Sequence, residues 1–260
     1  MKPHPLLLLT TLFAVGTTPL LAQPIWTAGH GDIGIGYIDE DGAGPGTNFV
    51  LEPHWHLGED GEVVVVDGVP ISDLSGFEYA PGGLIARTGL SATRASGLLW
   101  EPIGVASGET FYLFPNPENP TTAYVGVGAE DLNPSDWNDG AVFLTLTGIA
   151  GSGVTAGGIF SFYELDGFGD PTFFMSTENG IDGTDVFTVI AGSHEHYNFA
   201  FSQIGIYDIT FLVSGVHNVD GAKSTSATYT FEVVPEPGSL ALFLLGSSAL
   251  LLKRRRASAA

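Results

Sequence analysis

Between residues 23 and 234 apolar side chains alternate with small or polar ones in short runs. Gly, Pro, Asn or Asp cuts each run before a helical stripe can build. Ile33, Ile35 and Tyr37 alternate with Gly34 and Gly36, and 63–66 is an all-valine run closed by Asp67 and Gly68. Strand-like stretches follow at 110–114, 123–127, 142–146, 159–163, 186–190, 207–213 and 228–233, the last two joined by a polar loop with Asn218, Asp220 and Gly221. Of 260 residues 36 are glycine, about twice the usual share of ~7%. That composition excludes a coiled coil, and 29 aromatics supply enough apolar surface to exclude intrinsic disorder. The pattern predicts an all-β fold, a single elaborated immunoglobulin-like β-sandwich domain over 23–234.

Both ends read differently. Lys2 followed by an apolar run to Leu21 and a small residue, Ala22, reads as a secretory signal helix over 1–22. At the other end Pro235, Glu236 and Pro237 precede an apolar stretch over 239–252 and the basic run Lys253, Arg254, Arg255, Arg256. As a helix the 14 residues 239–252 span about 21 Å, short of the ~30 Å hydrocarbon core, so a crossing needs flanking residues or local thinning. The basic cluster keeps to the cytoplasmic side, leaving the body outside. Segment 235–260 resembles the PEP-CTERM sorting tail. The resemblance implies a Gram-negative bacterium, cleavage near Pro235–Pro237 by a membrane exosortase, and a path from an inner-membrane-anchored intermediate to the periplasm, outer surface or extracellular matrix.

Segment 23–234 carries three basic residues, Arg87, Arg94 and Lys223, against 28 acids, a net charge of −25. A field of that sign repels nucleic acid and attracts cations. The chain has no cysteine, which removes disulfides, thiolate zinc fingers and cysteine nucleophiles and leaves His, Asp, Glu and backbone oxygen as metal donors.

Three stretches carry a second resemblance: 29–33 (GHGDI), 97–114 (GLLWEPIGVASGETFYLF) and 192–201 (GSHEHYNFAF) with Gly205-Ile206-Tyr207. They look like the choice-of-anchor M domain, also called the actinobacterial surface-anchored type, over roughly 29–232. That family pairs an early Gly-His-x-Asp element with a late His-x-His-x-Asn element, and its associations with zinc-regulated and metal-transport systems imply zinc. This chain departs from it in Glu195, between the late histidines, and in a long insert at 40–60.

The residues themselves point the same way. Three pairs share i, i+2 spacing: His30 with Asp32, His54 with His56, and His194 with His196. In a strand such pairs face one side, so each can offer two donors to one cation, and imidazole with carboxylate suits zinc. His30, His194 and His196 are expected to converge at the sandwich rim, with Asp32 or His54 and His56 completing four ligands and Glu195 facing away. The alternative is that these histidines hydrogen-bond in turns. His54-Trp55-His56 with Glu59 and Glu62 invites comparison with a cupin metalloenzyme, but the spacings are wrong for one. Residues 29–34 spell G-x-G-x-x-G without the strand-then-helix context of a dinucleotide site. Acidic turns at 39–42, 166–170 and 182–185 could take calcium, though none fits the EF-hand register. Trp26, Trp55, Trp100 and Trp137 read as core or turn packing ahead of sugar stacking.

No nucleophile elbow or zincin helix motif occurs. The expectation is a non-enzymatic, exported, surface-associated protein binding zinc; the rival is a structural or adhesive protein associated with exopolysaccharide. An alkaline phosphatase reporter fused after Val234 should be active in the periplasm; activity confined to a cytoplasmic reporter at the same position would contradict export.

Overall fold

The computed structural model describes residues 22–40, 49–58, 62–72 and 77–235. The signal segment up to residue 21 and the tail from residue 236, with Glu236, Pro237, Arg254, Arg255 and Arg256, lie outside the described residues, as do both expected terminal helices. Among the described residues no helix is long and apolar enough to cross a membrane.

The body is an all-β sandwich of two sheets. In chain order the strands are β1 (Ile25–Asp39), β2 (Phe49–Leu57), β3 (Val64–Val66), β4 (Val69–Ile71), β5 (Glu78–Tyr79), β6 (Ile85–Thr88), β7 (Ser91–Thr93), β8 (Thr110–Phe114) and β9 (Ala123–Gly128). Then come β10 (Ala141–Ala150), a single helical turn α1 (Ser152–Thr155), β11 (Phe160–Leu165), β12 (Pro171–Ser176), β13 (Val186–Ile190), β14 (His194–His196), β15 (Asn198–Phe201), β16 (Gly205–His217) and β17 (Gly221–Val233). The smaller sheet runs β12-β11-β15-β8-β7 and the larger holds the other twelve strands.

β1 is the spine of the larger sheet. Its first turn of chain pairs β3 and β6; from Gly29 onward it pairs β2 on one side and β9 on the other. Gly29 makes the switch at φ +88°, where a Cβ would collide with the Val63 carbonyl and sit 2.8 Å from Val64 Cα. Asp67 and Gly68, both at positive φ, make the two-residue turn between β3 and β4. The G-x-G-x-x-G run is thus interior strand.

Phe231 on β17 ties the two sheets together. Fully buried, it packs against Trp55 of the larger sheet and against Phe114, Phe199 and Phe201 of the smaller one, with ring centroids 5.6–5.8 Å apart. Trp26, Trp55 and Trp137 are core residues. The outer face of the smaller sheet is covered in turn by the short 3₁₀ segment Leu98–Ile103, so β15 is buried on both faces.

Between β14 and β15 the chain passes from one sheet to the other, and Tyr197 plugs the crossing among Phe162, Phe174 and Phe187. Asn198 accepts from the Asn116 amide and donates to the Tyr163 carbonyl, while Asn116 Nδ2 donates to the His196 carbonyl at 2.7 Å. The segment Tyr197-Asn198 therefore fixes the C-terminal end of β14.

Replacing Phe231 by Ala should cost roughly 3–5 kcal/mol of unfolding free energy, read from urea denaturation. A loss below ~1 kcal/mol would show that this ring does not hold the sheets together.

Candidate metal centre

On β1 the buried Ile33 and Ile35 point into the core, so His30, Asp32 and Gly34 point to the opposite face. The strand register extends that face sideways. His56, Asp32, Gly126 and His196 lie in one row across β2, β1, β9 and β14; His54, Gly34, Gly128 and His194 lie in the next. His30 sits beside Tyr124 one step further along.

Three imidazoles meet on this face. Ring centroids are 4.7 Å apart for His30 and His196, 5.4 Å for His30 and His194, and 5.8 Å for His194 and His196. One donor atom from each lies within 4.8 Å of the other two. Asp32, 1% exposed, faces two of them: Oδ2 is 3.5 Å from His30 Nε2 and Oδ1 is 3.7 Å from His196 Nε2. A tetrahedral zinc with bonds near 2.1 Å separates its donors by about 3.4 Å, a spacing that the donor atoms of the three histidines, all within 4.8 Å of one another, approach.

Partially exposed acids hold the outward nitrogens. His194 Nδ1 is 2.6 Å from Glu130 Oε1, and His30 Nδ1 is 3.3 Å from Glu62 Oε2. A carboxylate accepts, so His194 Nδ1 carries the proton and its Nε2 keeps a lone pair, the arrangement common in metal-ligating histidines. Tyr124 stacks on His196 at 3.6 Å and 7°.

Burial, joined by repulsion from His30 and His194, pushes the His196 pKa down to about 3, against a weak opposing pull from the Val125 backbone. A neutral imidazole offers the lone pair a metal needs. Gly126 is required by close approach: a Cβ there would overlap Asp32 Oδ1 and come within 2.9 Å of His196 Cε1.

His54 and His56 do not complete this set. They form a second group with Glu78 of β5, on the other side of β1, again with donor atoms within 4.8 Å of one another. A small cleft lined by Asp32, Gly34, His54, His56, Gly128, Glu130 and Asp131 lies between the groups. Placement also differs from the rim expected from the sequence. β14 is an edge strand, but β1 is central and its His30 is 7% exposed, so the imidazoles meet on a sheet face. Glu195 faces away, accepting a hydrogen bond from the Tyr197 hydroxyl at 2.7 Å.

Of the two glutamates compared with a cupin, Glu62 reaches His30 and Glu59 lies outside the described residues. Two of the acidic turns are occupied by their own chain: Asp166 accepts from the Phe168 and Asp170 amides, Asp182 from Thr184, and Asp185 from Ser176 and Asp182; residues 41 and 42 of the third lie outside the described residues. Pro235 is the exposed last described residue. Sequence reasoning missed Glu78, Glu130, Tyr124 and the glycines of β9. The alternation of Gly with Val over 124–128 was the available signal for a strand face cleared for neighbouring side chains.

No protein-family model, curated protein or solved structure matches this chain.

In the metal-free protein His196 should stay neutral through the weakly acidic range and protonate only near pH 3. Its folded pKa lies below the unfolded value of 6.5, so the unfolded chain binds the extra proton, and this residue removes stability as pH falls from about 6.5 towards 3. Imidazole ¹⁵N shifts followed by NMR check this; a midpoint near 6.5 would contradict it.

Proposed function

We propose that the protein is an exported metal-binding protein whose centre, His30, His194 and His196 with Asp32 as fourth donor, takes up zinc. The observation that carries this reading is the convergence of three imidazoles from two non-adjacent strands beside a buried carboxylate. Imidazole nitrogen with a single carboxylate suits zinc and its transition-metal neighbours, whereas calcium prefers six to eight oxygens.

A shell filled by four protein donors leaves no open position for a reacting water, which favours binding over catalysis. Export is supported by the charge pattern of the two ends, and the net charge of −25 of segment 23–234 favours accumulation of cations at its surface. The exosortase and membrane are the partners implied by the C-terminal segment.

Stripped of metal and titrated with zinc in the presence of a competing chelator, the full chain should bind tightly and melt at a higher temperature. Zinc at about a hundred times its Kd adds ~2.7 kcal/mol of stability. The double change His194→Ala, His196→Ala should lower affinity at the tight site by at least ~100-fold, as expected for losing two of four ligands. Undiminished affinity in that variant would overturn the assignment.

A further inference from the structure

We propose that His54, His56 and Glu78 form a second metal site, separate from the three-histidine centre, that binds a divalent transition ion such as zinc and exchanges it readily with solvent. The two sites share a sheet face and no ligand. His54 and His56 lie three strand spacings, roughly 14 Å, from His194 and His196 in the same rows, while Asp32 is the direct cross-strand neighbour of His56 and marks where the two sites adjoin.

The local geometry of the second group is that of a prepared site. His54 and His56 point to one side of β2, and the antiparallel register sets Glu78 directly opposite His56. His54 Nε2 is 3.9 Å from Glu78 Oε1, and the three donor atoms lie within 4.8 Å of one another. The other nitrogen of His54, Nδ1, is 3.1 Å from the Glu52 carbonyl oxygen. A carbonyl only accepts, so Nδ1 carries the proton and Nε2 presents its lone pair towards Glu78, the tautomer a metal ligand needs.

Space for that ring is cleared by the neighbouring strand. At Gly34 any Cβ would overlap His54 Nε2 and come within 2.8 Å of its Cδ2.

Exposure separates the two sites in behaviour. His54 is 5% exposed, but the Glu78 side chain is 46% exposed, so one ligand of the second site is wet and the ion is reachable from outside. Two imidazoles and a carboxylate also leave a coordination position for water. The second site should therefore bind more weakly and exchange faster than the first, whose most exposed ligand, His194, is 29% exposed against 46% for Glu78. The cleft between them carries Asp32, Glu130 and Asp131, whose charge holds cations nearby.

The test is metal stoichiometry on the full chain, purified in detergent, stripped with EDTA and dialysed against buffered zinc, with chelator competition giving both affinities. Two zinc ions per chain are expected. The double change His54→Ala, His56→Ala should leave one ion, the tighter. Glu78→Gln, a partly exposed change that spares the fold, should weaken the second ion by at least about tenfold and leave the first unchanged. Conversely His30→Ala with His196→Ala should leave the weaker ion bound. One ion indifferent to His54, His56 and Glu78 would overturn the second site and leave the first standing. One ion lost in either double variant would mean a single shared centre and also overturn it. One ion lost only with His54, His56 or Glu78 would support this site and sink the three-histidine reading, and no bound zinc would sink both. Circular dichroism and thermal melting of each variant identify any loss that comes from misfolding.

Discussion

Asp32 is a carboxylate taken almost wholly out of water on the face of a sheet, and the neighbourhood is organised around that fact. An ionised carboxylate in such a place costs several kcal/mol unless opposite charge or strong donors surround it. Among the groups that face it are the Nε2 atoms of His30 and His196. Protonating those imidazoles would meet the carboxylate, but burial and mutual repulsion hold His196 neutral. Elsewhere in the body Arg87 is engaged by Glu232, Arg94 by the carbonyls of Trp100 and Gly97, and Lys223 by the Phe49 carbonyl. A divalent ion shared by Asp32 and the imidazoles, as proposed, would meet the carboxylate and the ring lone pairs together.

The fold makes that arrangement by sliding side chains over glycine. β9 presents Gly126 and Gly128 between β1 and β14, and β1 presents Gly34 beside β2, so one row reads ring, carboxylate, bare backbone, ring and the next has two bare positions between its rings. Glycine weakens a strand interior through its entropy and lack of packing surface. Here the loss is offset on the opposite face, where Ile33, Ile35, Val125 and Val127 are fully buried. The crossing at Tyr197 adds the last constraint, because the same short segment that carries two imidazoles also tethers the two sheets.

Much of the framework was legible beforehand, and the reasons are physical. Half-buried strands betray themselves by alternation, and 110–114 and 186–190 coincide with β8 and β13. β15 is buried on both faces and so has no alternation to read, and β2 carries Pro53 in its middle, which argues against a strand until its pairing partners are known. Periodicity told which histidines share a face with which neighbours, but not how far apart the pairs lie. That distance is set by strand order, β2-β1-β9-β14, and parallel pairing of β1 with β9 joins residues about ninety positions apart in the chain. For the same reason Glu78 and Glu130, single acids in a chain rich in them, could not be told from solvated surface.

Anomalous diffraction at the zinc absorption edge, from crystals grown with zinc, locates any ion bound on this sheet face. A peak is expected about 2.1 Å from one ring nitrogen each of His30, His194 and His196, with an Asp32 oxygen in the same shell. A zinc-soaked crystal with no peak there, and with His30 and His196 hydrogen-bonded to Asp32 in its place, would contradict it.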